Sequence, residues 1–218
     1  MKLYKLTEQD GTTYHKSMSW KVGKTNRVKK CNNPELCSGD VIHAYKNKNL
    51  ALLLNPNHAN IKNPLVFECS GKVVVDDWEK CGVFSLKCEK KMRLPKWYTD
   101  ENQHKRVMVM FAIFCAESVI KIYEDKYPND DRPRKAIGAA KEYLKSDKKA
   151  ARAAAYAARA YAYASAADAA RAAASHAAAA AAADAYASAA YAAYDVDKID
   201  FCKLADKAVK IIKSGVIK

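Results

Sequence analysis

Between Ala150 and Ala193 the chain has no leucine, isoleucine, valine, phenylalanine, glycine or proline, and 30 of the 44 residues are alanine. The missing helix breakers leave helix as the one regular conformation favoured throughout, since alanine loses no side-chain entropy on ordering. The missing large apolar side chains mean that such a helix buries little area, so it is held by close backbone approach. One straight helix of this length would span about 66 Å, against a radius of gyration of roughly 17 Å for a compact chain of this size, so the stretch is expected to fold back on itself. A membrane span of about 20 residues is also missing, because Arg171 and Asp184 bound an uncharged run of only 12 residues that itself contains His176. The first residues, MKLYKLTEQDG, lack the apolar core of a secretion signal.

Chemistry is equally sparse. No H-E-x-x-H, paired C-x-x-C, G-x-S-x-G or dinucleotide fingerprint occurs. Gly23-Lys24-Thr25 has the ending of a phosphate-binding P-loop, but Met18 occupies the place of its first glycine, which excludes nucleotide hydrolysis by that device. Seven cysteines at irregular spacing do not make a disulfide framework; they point to a reducing, cytoplasmic setting and to buried structural thiols. No cofactor and no metal is expected.

Positive charge is abundant. The net charge is +14, of which residues 1–103 carry +7, residues 104–149 carry +4 and the remainder +3. Such a balance suits an anionic partner, with Lys21 to Lys30 and Lys87 to Lys96 as the densest basic segments. Lysines that merely solvate the surface would give the same numbers.

The expected fold class is α+β: a small antiparallel β-rich domain over residues 1–95, a polar hinge over 96–103, and an alanine-rich antiparallel helical bundle over 104–218. Lys2 to Leu6 alternates and Asp10-Gly11 is a turn pair, so Thr12 to His15 is expected to return as a hairpin partner. Val41–Tyr45, Leu65–Cys69, Lys72–Val75 and Val83–Cys88 are further strands, and Asn49 to Leu54 is a short helix stopped by Asn55-Pro56. From His104 the period becomes helical, with Val107 to Cys115 apolar nearly all round, as in a helix central to its domain. Pro128 ends it, Asp131 caps the next helix with Pro133 in its first turn, and that helix runs through Leu144. Residues 163–170 recur 23 residues later, in the stretch from Tyr186 to Ala193, which suggests two helices within the alanine block. Asp195 to Asp200 is expected to cap a last amphipathic helix that contains Ile199, Leu204, Val209 and Ile212 and ends at Gly215.

Three groups of residues are candidates for binding. Glu117 and Glu124 lie seven apart on one helical face, and Arg132 and Arg134 beyond Pro128 are placed to reach back to them as bidentate partners. This would be either a ligand site or an inter-helix salt-bridge network. Arg152, Tyr156, Arg159 and Tyr163 share a face of the alanine block and could stack a base or nucleotide, or could simply fill grooves between alanine faces. His43 and Tyr45, two apart on a strand, resemble the pair that ADP-ribosyl transfer folds set against a dinucleotide, a fold-level analogy, or belong to a packed turn in which His43 is simply hydrogen-bonded.

Two family resemblances follow from quoted motifs. Trp20-Lys21-Val22-Gly23-Lys24-Thr25, Leu36-Cys37, Ile42-His43-Ala44, Glu68-Cys69-Ser70-Gly71 and Asp76-Asp77 resemble a domain-of-unknown-function family of phage and bacterial proteins; Tyr45 stands where that family has cysteine. Phe111-Ala112, Cys115-Ala116-Glu117, Tyr127-Pro128 with Asp130, and Arg132-Pro133-Arg134 before Ala136-Ile137 are similar to the Imm-5-like group of alanine-rich helical immunity proteins. Ser118 replaces a histidine common after the Cys-Ala-Glu triplet. The second resemblance implies a non-enzymatic protein that binds and blocks a protein partner: a toxin, or a defence effector such as a CRISPR complex. Sequestration of an anionic signal, nucleic-acid binding by the basic first domain, and ADP-ribosyl transfer are the alternatives. A homodimer is possible because alanine faces pack equally well within and between chains.

Overall fold

The computed structural model describes residues 1–13, 16–77, 79–145 and 199–215. The chain divides into two compact units, Met1–Asp100 and Glu101–Lys218, an antiparallel sheet followed by helices, so the class is α+β.

In the first unit the strands are β1 (Lys2–Thr7), β2 (Thr12–Thr13), β3 (Met18–Ser19), β4 (Thr25–Arg27), β5 (Ile42–Ala44), β6 (Leu65–Asp76) and β7 (Cys81–Met92), with helix α1 over Lys48–His58. β6 and β7 form one long hairpin whose turn is fixed by Asp77, its carboxylate accepting the amides of Glu79 and Lys80 at 2.8 and 2.6 Å. β1 lies antiparallel to β6, from Lys2 opposite Ser70 to Thr7 opposite Leu65. The other edge of β7 is shared by β5, at Ile42–Ala44, and by β4, at Thr25–Arg27. Tyr4 and Tyr45 then exchange two backbone hydrogen bonds of 2.8 and 2.9 Å, which join the end of β5 to β1. Strands β1, β6, β7 and β5 thereby close into a ring. Register shifts in the β6–β7 pairing, at Glu68/Cys69, Gly71/Val73 and Val73/Val75, supply the extra twist and bending that closure of so few strands requires.

The interior of the ring is filled by Leu3, Ile42, Ala44, Phe67, Cys69 and Val83, with Trp20 completing the cluster. Cys69, Cys81 and Cys88 are buried here, and all seven cysteines are free. Gly82 is required at its place, because a Cβ there would lie 2.6 Å from a methyl of Val41 and 2.8 Å from one of Val75. Helix α1 packs on β1 with Leu50, Leu52 and Leu53 fully buried, each such side chain contributing about 1.5–3 kcal/mol.

Three expectations change in this unit. β1 pairs with β6, and Thr12–Thr13 pairs with Met18–Ser19, because the long β6 offers β1 six paired residues where a local hairpin offers two or three. Lys72–Val75 and Leu65–Cys69 are one strand. Helix α1 continues through Pro56. A proline inside a helix loses one backbone bond, which is offset by the buried leucines and by Asn55, whose side chain bonds both the amide and the carbonyl of Ile61.

The stretch 96–103 expected as a hinge is helical: α2 covers Lys96–Thr99 and α3 starts at Glu101. Trp97 is buried, its indole N–H donating to Asn49.

The second unit has α3 (Glu101–Lys126), α4 (Arg132–Lys145) and α5 (Phe201–Ser214). Val107 to Ile113 are all buried, so α3 is the central helix that its sequence predicts, and both α4 and α5 pack on it. α4 buries Pro133, Ile137, Ala140, Tyr143 and Leu144, at helical spacing. α5 buries Ala205, Ala208 and Val209, while Leu204 and Ile212 flank that seam half-exposed; small residues at its centre let the two helices approach closely. Asp200 caps α5 by accepting the Lys203 amide, and Gly215 ends it at φ +65°. The alanine block, its repeat and its internal turn, and residues Arg152, Tyr156, Arg159 and Tyr163 lie outside the described residues. Among the described residues no helix is long and apolar enough to cross a membrane.

Candidate functional site

The α3–α4 corner is built by a short connection, Tyr127 to Asp131, over which the chain must satisfy the end of one helix and the start of the next. Tyr123 and Tyr127, one turn apart, pack with ring centroids 5.0 Å apart and their planes tilted by 45°. The Tyr123 hydroxyl donates to Asp130 at 2.6 Å. Asp130 also receives the Arg132 guanidinium in a fork, at 2.8 and 2.6 Å, and the Arg132 amide at 3.1 Å. These donors hold the Asp130 carboxyl well below the usual carboxylate range, the Arg132 guanidinium first and the Tyr123 hydroxyl next. Asp131 has the N-cap place in the backbone, its carbonyl accepting from Lys135, yet its carboxylate pairs with the Lys135 ammonium; the carboxylate that bonds a first-turn amide is that of Asp130.

Of the four residues expected to converge here, two meet as anticipated. Arg134 holds Glu124 in a bidentate pair at 2.6 and 2.7 Å, lowering the Glu124 pKa and raising its own. Arg132 turns back on Asp130 instead of reaching Glu117 or Glu124, because an Asp two residues ahead of a helix start is the nearer anion. Glu117 is taken by Lys141 of α4 at 2.6 Å. Tyr123 and Lys141 were missed in the sequence. The Tyr-x-x-x-Tyr spacing before Pro128 and the Asp-x-Arg spacing after it are the signals that find the Tyr123–Asp130–Arg132 unit.

The ion pairs leave much outward surface. Arg132 is 72% exposed and Arg134 64%, while Tyr127 is 47% exposed. Tyr127, Pro128, Asn129, Asp130, Asp131 and Arg132 line an open groove of about 610 Å³. Chemically this corner offers fixed donors and aromatic area. Asp130 and Glu124, both pushed towards the ionised form, are unsuited to deliver a proton at neutral pH.

In the first unit His43 and Tyr45 are committed to separate partners. The His43 ring nitrogen Nε2 accepts the Cys37 amide at 2.9 Å; burial, then Lys5 and Lys80, lower its pKa. Cys37 has φ +64°, and its thiol accepts from Lys80 at 3.1 Å. Tyr45 stacks on His58, shares a 3.1 Å hydrogen bond with its Nδ1, and His58 Nε2 meets Glu79 at 2.9 Å. Burial, with Glu79 and Asp77, pushes the Tyr45 phenol well above its ordinary pKa. A buried, proton-retaining tyrosine is a poor acid, base or nucleophile; the Tyr45–His58–Glu79 chain pins β5, the end of α1 and the β6–β7 turn together, while the His43 ring is bonded to the Cys37 amide. Among the described residues no group of three His, Cys, Asp or Glu side chains is placed to hold a metal ion.

A family model described as Imm-5 like putative immunity protein matches residues 99–211, a little over half of the chain. No curated protein and no solved structure matches.

Proposed function

The chain belongs to the Imm-5-like immunity-protein family, and from that premise we propose that it is a non-catalytic antagonist that neutralises a toxic protein by docking the α3–α4 corner on it. The observation that carries the reading is the corner itself, which lies inside the family match and presents Tyr127 and the Arg132 and Arg134 guanidiniums outward. Tyrosine and arginine are the side chains that dominate protein interfaces. Their internal pairing also limits the rotamer freedom lost on binding, which is the main cost of ordering long side chains.

The family favours a toxin over the CRISPR complex or the anionic signal. Cytoplasmic action in the toxin-producing cell fits free thiols and an intracellular target. The test is protection: of cells each expressing one of a panel of bacterial protein toxins, those carrying the cognate toxin survive when the full chain is co-expressed, and Tyr127→Ala combined with Arg132→Ala abolishes survival while leaving expression unchanged. Full protection by the double variant overturns the assignment to this corner.

A further inference from the structure

The family match begins at residue 99 and leaves the β-ring without a role, although residues 1–103 hold half of the net positive charge. The β4–β7 pairing brings the two basic segments side by side, Thr25 opposite Lys87 and Arg27 opposite Ser85. Side-chain alternation then sorts the faces. Leu86 and Cys88 fill the interior, so Lys87 between them points outward. Buried Asn26 separates Thr25 and Arg27 in the same way. A Cβ on Gly71 would meet Leu3 and Leu86, so its neighbours Ser70 and Lys72 also point outward.

Contacts across the strands confirm a single outer face. Glu68 lies between Lys2 of β1 and Lys90 of β7, at 3.3 Å from each, and Glu89 bonds both Lys87 and Ser70. The Glu68 side chain is only 13% exposed beneath lysines that are 57–60% exposed, so the cations stand above their carboxylate. Arg27 and Lys72 make no ion pair with a described residue. Five cations against two carboxylates leave an excess of three, and Lys29 and Lys30 extend the charge just past β4, both exposed.

We propose that this outer face, across β1, β6, β7 and β4, binds the phosphate backbone of nucleic acid. Lys, Arg, Ser and Thr side chains on a strand surface are the donors of sequence-independent phosphate contacts. An acidic protein partner fits less well, because the exposed side chains of this face are chiefly lysine and arginine, and its aromatic and aliphatic members, Tyr4 opposite Glu68 and Val74, are partly buried, leaving little of the anchor area that dominates protein interfaces.

The test is fluorescence anisotropy of the full chain with a fluorescein-labelled duplex of about 20 base pairs, in 50 to 200 mM KCl. An excess of three cations gives a slope of log affinity on log salt of about −2.7, so binding weakens about 40-fold over that range. Arg27→Gln with Lys72→Gln lowers the slope by about 1.8 and weakens binding several-fold at 50 mM; Glu89→Gln tightens it. Tyr127→Ala leaves DNA binding unchanged, which separates this face from the α3–α4 corner. The proposal is overturned by no binding at 50 mM, by an unchanged double variant, or by poly-glutamate competing as well as DNA at equal charge; the last result would assign the face to an acidic protein.

Discussion

Lys5 offers the sharpest test of the ring-shaped sheet. It lies two residues beyond Leu3 on β1 and so turns its aliphatic stem to the same inward face, and its ammonium donates to the His43 carbonyl at 2.7 Å and lies 5.2 Å from the centre of the Trp20 ring. Loss of water pushes its pKa from 10.5 down to about 8. At about 1.36 kcal/mol per pH unit, holding the charge there costs ~3 kcal/mol below pH 8. Between pH 8 and 10.5 the unfolded chain retains a proton that the folded protein has released, so the stability owed to this group rises with pH across that window. Lys5→Met keeps the stem and removes the charge. At pH 7 it recovers ~3 kcal/mol and forfeits about 1–2 kcal/mol for the lost hydrogen bond, a net gain of about 1–2 kcal/mol. By pH 9.5 about 2 kcal/mol of that advantage is gone, so the two proteins are about equally stable or the variant is the weaker. Trp20, Trp78 and Trp97 all belong to the first unit, so urea unfolding followed by tryptophan fluorescence at the two pH values reports on this unit alone. A difference between wild type and Lys5→Met that does not change from pH 7 to 9.5 refutes the buried ammonium.

Asn55→Ala removes the side chain that bonds both backbone groups of Ile61 and the Tyr98 hydroxyl; the same fluorescence assay is expected to show a loss of about 2–4 kcal/mol. Gly82→Ala forces a methyl against Val41 and Val75 and costs about 1–3 kcal/mol, read as a lower urea midpoint with an unchanged slope. The Glu79 carboxyl is held below its ordinary value of 4.5 chiefly by the hydrogen bond from His58. Its contribution is therefore present above that value and is lost as pH falls through the depressed one, so the stability gap between wild type and Glu79→Gln narrows from pH 7 to pH 3.

Local signals in the sequence located most elements, and the limits of those signals explain what was missed. The apolar run from Val107 to Cys115, the Pro128 stop and the Asp200 and Gly215 caps each act within a few residues, so they are readable one position at a time. The pairing of β1 with β6 spans some 60 residues of chain, and no turn residue encodes it. Closure by the Tyr4–Tyr45 bridge is equally non-local. At the candidate site, Glu124 and Arg134 were legible because helical spacing fixes a face, whereas the choice of Asp130 by Arg132 depends on how tightly the corner turns. His43 and Tyr45 share strand spacing, but α1 and the β6–β7 turn, remote in sequence, decide what each ring bonds.

The α3–α4 corner is proposed to dock on a toxic protein. Its most direct test is calorimetric titration of the full chain into the purified toxic protein against which it protects cells. Tyr127→Ala with Arg132→Ala is expected to weaken the affinity by about 100-fold or more, with helix content unchanged by circular dichroism. An unchanged dissociation constant in the folded double variant rules out docking through this corner.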